Sequence, residues 1–295
     1  MNKNKMIFFG TSNLAKEMLI SFLHSKIFQV DLVVSTFDKS PLALFCQKKN
    51  IPLFCPSVFD AAAEKKIKSL KADIFAVIDF GKIIPSKILD LSLFGAFNLH
   101  FSLLPKYRGA SPVQSAILQG EKESGITVFR LTKNLDDGDI FWQKKINIDS
   151  LRADEVFSKM MQKAAIDFVE ILEKIVTKKN YQVVKQDHQK ATFCKKFKKE
   201  DGLTNPLKET CQSLIQKVNA FYPWPGVFFK LPQIGLIKLL RVEKTNVKTK
   251  ASQGKFFTEN KKLFLSLKDG NLKILEIQRA GKKAMKGEDF ARGFF

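Results

Sequence analysis

The stretch KMIFFGTSNLAKEMLISFLH, residues Lys5–His24, sets the pattern that the first half of the chain repeats. Its apolar start, KMIFF, predicts a buried strand, and SNLAKEMLISFLH predicts a helix capped by Ser12 or Asn13. Strand-like and helix-like segments then alternate as far as a long amphipathic helix at about residues 153–176. Such alternation predicts an α/β fold with a mostly parallel sheet and helices on both faces.

The pattern changes at Lys178, which divides the chain into three predicted parts. Residues 1–177 form a Rossmann-like α/β domain, and residues 178–202 are polar, rich in charge and weakly periodic, as in a basic linker. Residues 203–295 begin with one helix, which Pro206 opens, and continue with short strand-like runs between turn residues. Those runs predict a small, OB-like C-terminal β-barrel domain.

The chain of 295 residues carries a formal net charge of +21, which is unusual for a globular protein. Residues 203–295 hold 18 Lys and Arg against 7 Asp and Glu, so the small domain has the higher charge per residue. Such a balance is typical of proteins that bind a polyanion, either nucleic acid or an anionic membrane surface. Because Lys far outnumbers Arg, a role of these charges in solubility alone stays open.

The cysteines and the apolar runs of the sequence indicate in which cellular compartment the protein is expected. The four cysteines, Cys46, Cys55, Cys194 and Cys211, show no CxxC spacing and no nearby histidine cluster, so we expect reduced thiols and no metal site. The first apolar run breaks at Gly10, too early for a signal peptide. No run approaches about eighteen apolar residues, the length that a membrane span needs. These features predict a cytoplasmic protein with no membrane partner.

One polar pair ends a predicted strand, in the position where ligands bind to open parallel sheets. In Asn98-x-His100, alternation along the strand points both side chains to the same side, so an amide and an imidazole can face one oxyanion. A histidine bonded to a backbone carbonyl is the simpler alternative. The first strand ends at Gly10 without a GxGxxG pattern, so the dinucleotide-binding fingerprint is missing.

A second polar cluster, NLDDGDI, lies between two predicted strands. Asp136, Asp137 and Asp139 surround Gly138 there. Either one carboxylate orients the imidazole, or the acidic residues only form a turn, which Asp and Gly favour.

The segment NLHFSLLPKYRGASP, residues 98–112, resembles the Asn-x-His-x-Ser-Leu-Leu-Pro-x-x-x-Gly signature of enzymes that use 10-formyltetrahydrofolate. GITVFRLTKNLDDGDI is similar to the second block of that family, and FFGTSNLA and FGKIIP match it nearer the start. NAFYPWPG and QRAGKKAM resemble the branch that formylates methionyl-tRNA. The resemblance covers nearly the whole chain and implies that residues 1–177 are the catalytic domain.

The resemblance implies a role for each matching residue. The implied catalytic residues are Asn98, His100 and Asp136. The implied contacts to the formyl donor are Gly81, Ile83, Ile84, Ser102, Leu103, Leu104 and Pro105. Substrate contacts are implied at Gly10, Leu14, Arg108, Lys282 and Lys283.

The resemblance further implies an enzyme that transfers the formyl group of 10-formyltetrahydrofolate to the α-amino group of initiator methionyl-tRNA for translation initiation. The amine attacks the formyl carbon, Asn98 and His100 stabilise the oxyanion, and Asp136 holds the imidazole and assists proton transfer. The implied partners are folate and the tRNA, which the basic C-terminal domain and linker help to hold. A monomer without a metal ion is implied.

The sequence departs from the family pattern at several places. A basic, glycine-containing loop after the second strand is missing, since STFDKSPLALF runs directly from Lys39 into the next helix. Phe101 stands where a small residue is usual, Asp79-Phe80-Gly81 replaces Ala-Tyr-Gly, and Leu14 replaces a Phe. Two alternatives stay open: a formyltransferase that acts on another amine, and a tRNA-binding relic without catalysis.

Overall fold

The computed structural model describes residues 3–178, 181–232, 234–248 and 251–294. The backbone separates into two compact units. The first unit comprises Met1–Gly109, Ser124–Ile146 and Ser158–Phe193, and the second comprises Ala110–Glu123, Asn147–Phe157 and Cys194–Phe295. The domain boundaries expected at residues 177 and 202 stay a prediction, and residues 179–180 of the expected linker lie outside the described ranges.

Strands and helices alternate in the first part of the chain. The strands are β1 (Asn4–Gly10), β2 (Phe28–Val34), β3 (Leu53–Phe54), β4 (Ile74–Ile78), β5 (Ala96–His100), β6 (Arg108–Gly109), β7 (Glu123–Arg130) and β8 (Ile140–Asn147). The helices are α1 (Asn13–Leu23), α2 (Pro41–Lys48), α3 (Ala61–Ser69), α4 (Ser86–Leu89), α5 (Pro112–Leu118) and α6 (Ala153–Val176). No helix in the described ranges, here or further along the chain, has the length and apolarity to cross a membrane.

Seven strands form one sheet in the order β3-β2-β1-β4-β5-β7-β8. The first five of these are parallel, and β7 runs antiparallel to β5. The chain changes direction across the sheet between β1 and β4, where Gly10 pairs with Ile78 at the carboxyl ends. In sheets of this kind, ligands bind in the crevice at such a switch point. The prediction of a mostly parallel, Rossmann-like sheet is confirmed.

Side chains of β1 alternate between two apolar layers. Phe9 belongs to a buried cluster that includes Ile67 of α3. Phe8 points to the other face, where its ring centre lies 6.0 Å from that of Phe22 in α1, and Phe22 meets Phe168 of α6 at 5.5 Å. Helices therefore cover both faces of the sheet, as the sequence predicted.

Local chemistry fixes where the first helices begin. The Ser12 hydroxyl accepts a hydrogen bond from the Ala15 N–H, which makes Ser12 the cap of α1 and confirms one of the two predicted caps. Ser40 caps α2 in the same way, and Pro41 follows it with a φ that suits the first helical position. At Gly10, a Cβ would come within 2.5 Å of the Ala15 Cβ, so the turn between β1 and α1 needs a glycine.

The C-terminal part of the chain is dominated by antiparallel strands. Its elements are β9 (Phe193–Cys194), α7 (Cys211–Phe221), β10 (Val227–Leu231), β11 (Gly235–Thr245), β12 (Phe256–Glu259), β13 (Lys262–Leu267), β14 (Gly270–Arg279), β15 (Ala284–Lys286) and α8 (Gly287–Phe294). The strand order is β10-β11-β14-β13-β12, with β15 paired to β14. This antiparallel domain is consistent with the predicted small barrel. The sequence had not indicated β15 or α8.

The helix predicted to open at Pro206 begins later. Pro206–Lys208 form a short 3-10 turn, which the Asn205 side chain caps. Glu209 then takes an extended conformation, and α7 begins at Cys211 with the Thr210 hydroxyl as its cap. The prediction of one continuous helix was wrong, because a separate capping residue starts each segment.

Candidate active site

His100 ends β5 with an imidazole whose two nitrogens face different partners. Nε2 lies 2.9 Å from the Tyr107 carbonyl oxygen, which only accepts hydrogen bonds, so Nε2 carries a proton. Nδ1 lies 3.8 Å from Asp136 Oδ2 and has no hydrogen bond to any other residue in the described ranges. The residue is 5% exposed, and its ring meets Phe129 edge to face. Nδ1 is therefore the ring nitrogen that can exchange a proton.

Asp136 is held through both its side chain and its backbone. Its Oδ2 accepts from the Gly109 N–H at 2.7 Å, and its carbonyl oxygen accepts from Gln186 Nε2 at 2.9 Å. Its φ of +48° lies in the left-handed region, which Asp enters more readily than most other non-glycine residues. These contacts set the carboxylate beside His100.

The loop between β7 and β8 folds back along β5. Arg130 closes β7 opposite Phe97, near the start of β5, yet Asp136 lies beside His100 at the end of β5. Gly138 makes this path possible, because a Cβ there would lie 1.8 Å from the Arg130 carbonyl oxygen. The structure thus brings together the two clusters that the sequence singled out separately.

Asp137 serves the loop itself rather than the imidazole. Burial raises the pKa of its carboxyl, but hydrogen bonds from Thr132 and Asn134 and the charge of Arg108 outweigh burial and leave that pKa below its ordinary value. The Asn134 side chain donates to Asp137 Oδ2 at 2.7 Å. Asp137 therefore stabilises the turn, and Asp136 is the carboxylate that faces the histidine.

Asn98 lies two residues before His100 on the same side of β5 and is half-buried. Within the part of the chain that the structure describes, no residue bonds to its side-chain amide. The amide is therefore available to a bound group. Asn98 and His100 present an amide and a ring nitrogen at the carboxyl end of one strand, as an oxyanion site requires.

Thr127 and Gln143 fix the turn that follows β5. The buried Thr127 hydroxyl donates to Ser102 O at 2.6 Å and accepts from the Leu104 N–H at 3.2 Å. Gln143 Nε2 donates to Leu104 O at 2.7 Å and to Thr127 Oγ1 at 3.0 Å. The Ser102 hydroxyl donates to Lys106 O at 2.6 Å. The polar groups of Ser102 and Leu104 thus shape the turn, and their contact with folate stays a prediction.

Leu103 and Pro105 complete the same turn. Leu103 packs so closely on Gly125 that a Cβ at Gly125 would lie 2.4 Å from Leu103 Cδ2. The Pro105 carbonyl accepts from the Thr192 N–H at 3.3 Å. Phe101, at the start of the turn, is 7% exposed, so its bulk lies largely inside the protein.

The segment after β4 offers an open surface. Ile83 is 88% exposed, whereas Ile84 is 8% exposed and belongs to the core below α3 and α4. Nothing lies within 4 Å of a Cβ built on Gly81. Asp79 is exposed and has a φ of +46°. Gly81 and Ile83 are thus accessible to a ligand, while the side chain of Ile84 contributes to the core.

The predicted substrate residues differ in exposure. Gly10 and Leu14 flank the start of α1 in the first unit, and Lys282–Lys283 are exposed between β14 and β15 in the second. Arg108 is 4% exposed, and its guanidinium donates to Gln186 Oε1 through Nε at 3.1 Å and Nη2 at 2.7 Å. The sequence did not indicate this contact, and the substrate contacts stay predictions.

The supporting residues Thr127, Gln143 and Gln186 were not found from the sequence. Thr127 and Gln143 occupy ordinary positions on β7 and β8, and Gln186 lies in a polar run without a period. In the structure Gln186 is only 6% exposed, although it lies in the stretch that the sequence predicted to be a linker. Burial is a property of the fold, so no local pattern reveals it.

All four cysteines have free thiols: Cys46, Cys55, Cys194 and Cys211. Burial, with a smaller contribution from Cys55, raises the pKa of Cys46 to about 11. In the described ranges, no group of three or more His, Cys, Asp or Glu side chains is arranged to hold a metal ion.

Comparison with known proteins places this chain in a family. A formyl transferase family model matches residues 5–176, and a model of the formyl transferase C-terminal domain matches residues 196–294. The chain therefore belongs to the formyl transferase family, as the resemblance of its motifs predicted.

Relatives within the family carry a more specific name. The methionyl-tRNA formyltransferase of Campylobacter lari is 40% identical over 249 residues, which cover 83% of this chain and 78% of that protein. The methionyl-tRNA formyltransferase of Campylobacter jejuni subsp. doylei is 36% identical over 307 aligned positions, which cover 98% of this chain and 96% of that protein.

A solved structure shows the same fold at much lower identity. HypX from Aquifex aeolicus in complex with tetrahydrofolic acid is similar with a TM-score of 0.67 and 13% identity, over 98% of this chain and 47% of HypX. The chain thus spans about half the length of HypX.

Proposed function

We propose that this chain transfers the formyl group of 10-formyltetrahydrofolate to the α-amino group of initiator methionyl-tRNA. The observation that carries the proposal is the meeting of Asn98, His100 and Asp136 at the end of β5, with Asp136 Oδ2 3.8 Å from His100 Nδ1. The Campylobacter relatives support this choice of substrate, because the likeness extends over nearly the whole chain, including its basic C-terminal part.

Asn98 and His100 supply the electrostatic part of catalysis. Attack on a formyl carbon places negative charge on its oxygen, and donors that are already oriented stabilise that charge by about 3 kcal/mol each. Asn98 donates from its side-chain amide. His100 donates from Nδ1 when that nitrogen is protonated, because its Nε2–H is already fixed on Tyr107 O.

Asp136 and His100 together provide the proton path. Folate, when bound, supplies the formyl carbon and the leaving nitrogen N10. The bond from the α-amino nitrogen to the formyl carbon forms, the bond to N10 breaks, and one proton moves from the amine to N10. The Asp136 carboxylate lies 3.8 Å from Nδ1, the ring nitrogen on the proton path, and its own position is set by the Gly109 N–H.

Exposed apolar side chains and accessible backbone in the segments after β4 and β7 support an organic ligand such as folate. Ile83 after β4 and Leu135 beside Asp136 are exposed apolar side chains, at 88% and 58%. Gly81 leaves backbone accessible without a Cβ. Pockets for small organic ligands combine such apolar contacts with a few placed polar groups.

The C-terminal part supplies the charge that a tRNA requires. Residues 203–295 carry 18 Lys and Arg against 7 Asp and Glu, and Lys282–Lys283 project from an exposed turn. A formyltransferase for a small amine has no need of such a surface. This charge distribution favours methionyl-tRNA over a small amine as the acceptor.

A formylation assay tests the proposal. Initiator and elongator tRNAs are charged with methionine, incubated with the purified chain and 10-formyltetrahydrofolate, and analysed for N-formylmethionine. We expect transfer to initiator methionyl-tRNA and none by the Asp136→Asn variant. The connection between β2 and α2 consists only of residues 35–40, so the comparison with elongator tRNA also measures selectivity without the missing loop.

Two outcomes would overturn the proposal. Formylation of an amino-sugar nucleotide or of glycinamide ribonucleotide, with methionyl-tRNA left unmodified, would show that the acceptor is a small amine. Tight binding of tRNA without formylation of any acceptor would show a binding protein without catalysis.

A further inference from the structure

Residues 184–192 lie against both loops of the candidate site. Val184 exchanges two backbone hydrogen bonds with Ile140, at 2.8 and 2.9 Å, where the loop after β7 ends. The Thr192 carbonyl accepts from the Arg108 N–H at 2.8 Å, where the turn after β5 ends. A stretch that the sequence assigned to the linker is therefore bonded to the catalytic loops within the first unit.

Gln186 joins the two loops through its side chain. Its Nε2 donates to Asp136 O at 2.9 Å and to Gly138 O at 2.7 Å. Its Oε1 accepts from Arg108 Nε and Nη2 at 3.1 and 2.7 Å. A side-chain amide offers two N–H groups and two lone pairs, so Gln186 uses its full capacity while only 6% exposed.

These bonds act on Asp136 from two directions. Gln186 holds the backbone of Asp136 directly, through the hydrogen bond from its Nε2 to the Asp136 carbonyl oxygen. It also holds Arg108, whose neighbour Gly109 donates its N–H to Asp136 Oδ2 at 2.7 Å. One side chain thus controls both the backbone and the carboxylate of Asp136.

We propose that Gln186 is a positioning residue for the formyl transfer proposed above, on which this inference rests. It sets the distance between the Asp136 carboxylate and His100 Nδ1 without touching a reacting atom. Arg108 is its partner in this role, as a buried cation that the amide oxygen fixes in place. Part of the stretch that leads to the C-terminal domain therefore positions a residue of the candidate active site.

Two substitutions test whether the hydrogen bonds of the Gln186 side chain matter, apart from the space that the side chain fills. Gln186→Glu keeps an acceptor for Arg108 but sets its second oxygen against two carbonyl oxygens, and Gln186→Met keeps the shape but removes all four bonds. Gln47→Glu is the matched control, since Gln47 Nε2 also donates to a backbone carbonyl, Asp38 O at 3.1 Å, on an exposed surface.

Formylation kinetics give the first readout. We expect kcat to fall about tenfold to a hundredfold in both Gln186 variants, because a displacement of catalytic groups by about 1 Å has an effect of that size. The KM for methionyl-tRNA should stay within about threefold, since the tRNA surface is unchanged. Gln47→Glu should keep the kcat of the wild type.

The second readout observes His100 without any substrate. The chain has three histidines, so nitrogen-15 spectra of the imidazoles show three sets of signals, and His100→Gln identifies one of them. We expect both Gln186 variants to shift the Nδ1 signal of His100 and to leave His24 unchanged. A purely structural glutamine would lower the melting temperature without moving this signal.

Either of two results overturns the inference: an unchanged His100 Nδ1 signal in a folded Gln186 variant, or a kcat within about threefold of the wild type. If Gln186→Glu does not fold, Gln186→Met carries both readouts. Should the wild-type chain form no formylmethionyl-tRNA, the proposed function fails, and the His100 signals alone then decide whether Gln186 positions Asp136.

Discussion

Replacement of Gly138 by alanine tests the path of the loop that carries Asp136. The added Cβ would lie 1.8 Å from the Arg130 carbonyl oxygen, about 1.6 Å inside the 3.4 Å at which ordinary van der Waals contact begins. Arg130 cannot yield, because it pairs with Phe97 in the sheet, so the loop must move instead. A displacement of about 1 Å costs about a hundredfold in rate, and we expect kcat to fall by that factor.

Steady-state formyl transfer to methionyl-tRNA, with both substrates saturating, measures kcat. Gly293→Ala is the matched control, since nothing lies within 4 Å of a Cβ at Gly293 in α8 and alanine favours a helix. Thermal unfolding shows that each variant is folded. A Gly138→Ala enzyme that keeps its rate within about threefold of the wild type would refute the reasoning that the loop geometry sets the position of Asp136.

Three further predictions concern stability and binding. Thr127→Val should lower the free energy of unfolding by about 1–3 kcal/mol, because the buried Leu104 N–H loses its acceptor. Thr127→Ser keeps the hydroxyl and serves as the control. Equal urea midpoints for the two variants would contradict this prediction. The pKa of Cys46 is raised from 9.0 to about 11, mainly by burial, so the unfolded chain ionises first and stability falls as the pH rises from 9 to 11. Melting temperatures of Cys46→Ala over that range should decline less steeply, and an identical decline would argue against the shift. Binding of tRNA, followed by fluorescence anisotropy, should weaken steeply with salt because lysines release counterions from phosphates. A flat response between low and moderate salt would exclude phosphate contacts as the main source of affinity.

Local patterns were sufficient for the sheet and for the placement of Asn98 and His100 on one side of β5. Strand alternation alone places Asn98 and His100 on one side, and the apolar run of β1 marks a buried strand. The predicted start of the helix at Pro206 was wrong. Pro206 suits a first helical position and Thr210 suits an N-cap, and the sequence does not show which of the two begins α7.

The scaffold of the site could not be predicted, because it depends on contacts between distant parts of the chain. Gln186 reaches Asp136 across 50 residues and Arg108 across 78, so no local pattern contains either bond. That Ile83 is exposed and Ile84 is buried could not be predicted either, because it also depends on contacts between distant parts of the chain. Adjacent isoleucines look equivalent in sequence, and only the packing of α3 and α4 distinguishes them.

The transfer rate of an Asn98→Ala enzyme tests most directly whether Asn98, His100 and Asp136 act on a single carbonyl carbon. With saturating folate and methionyl-tRNA, loss of one oriented donor should slow the chemical step about a hundredfold, equivalent to about 3 kcal/mol, while the KM for tRNA changes little. An Asn98→Ala rate within about twofold of the wild type would contradict the assignment of the site.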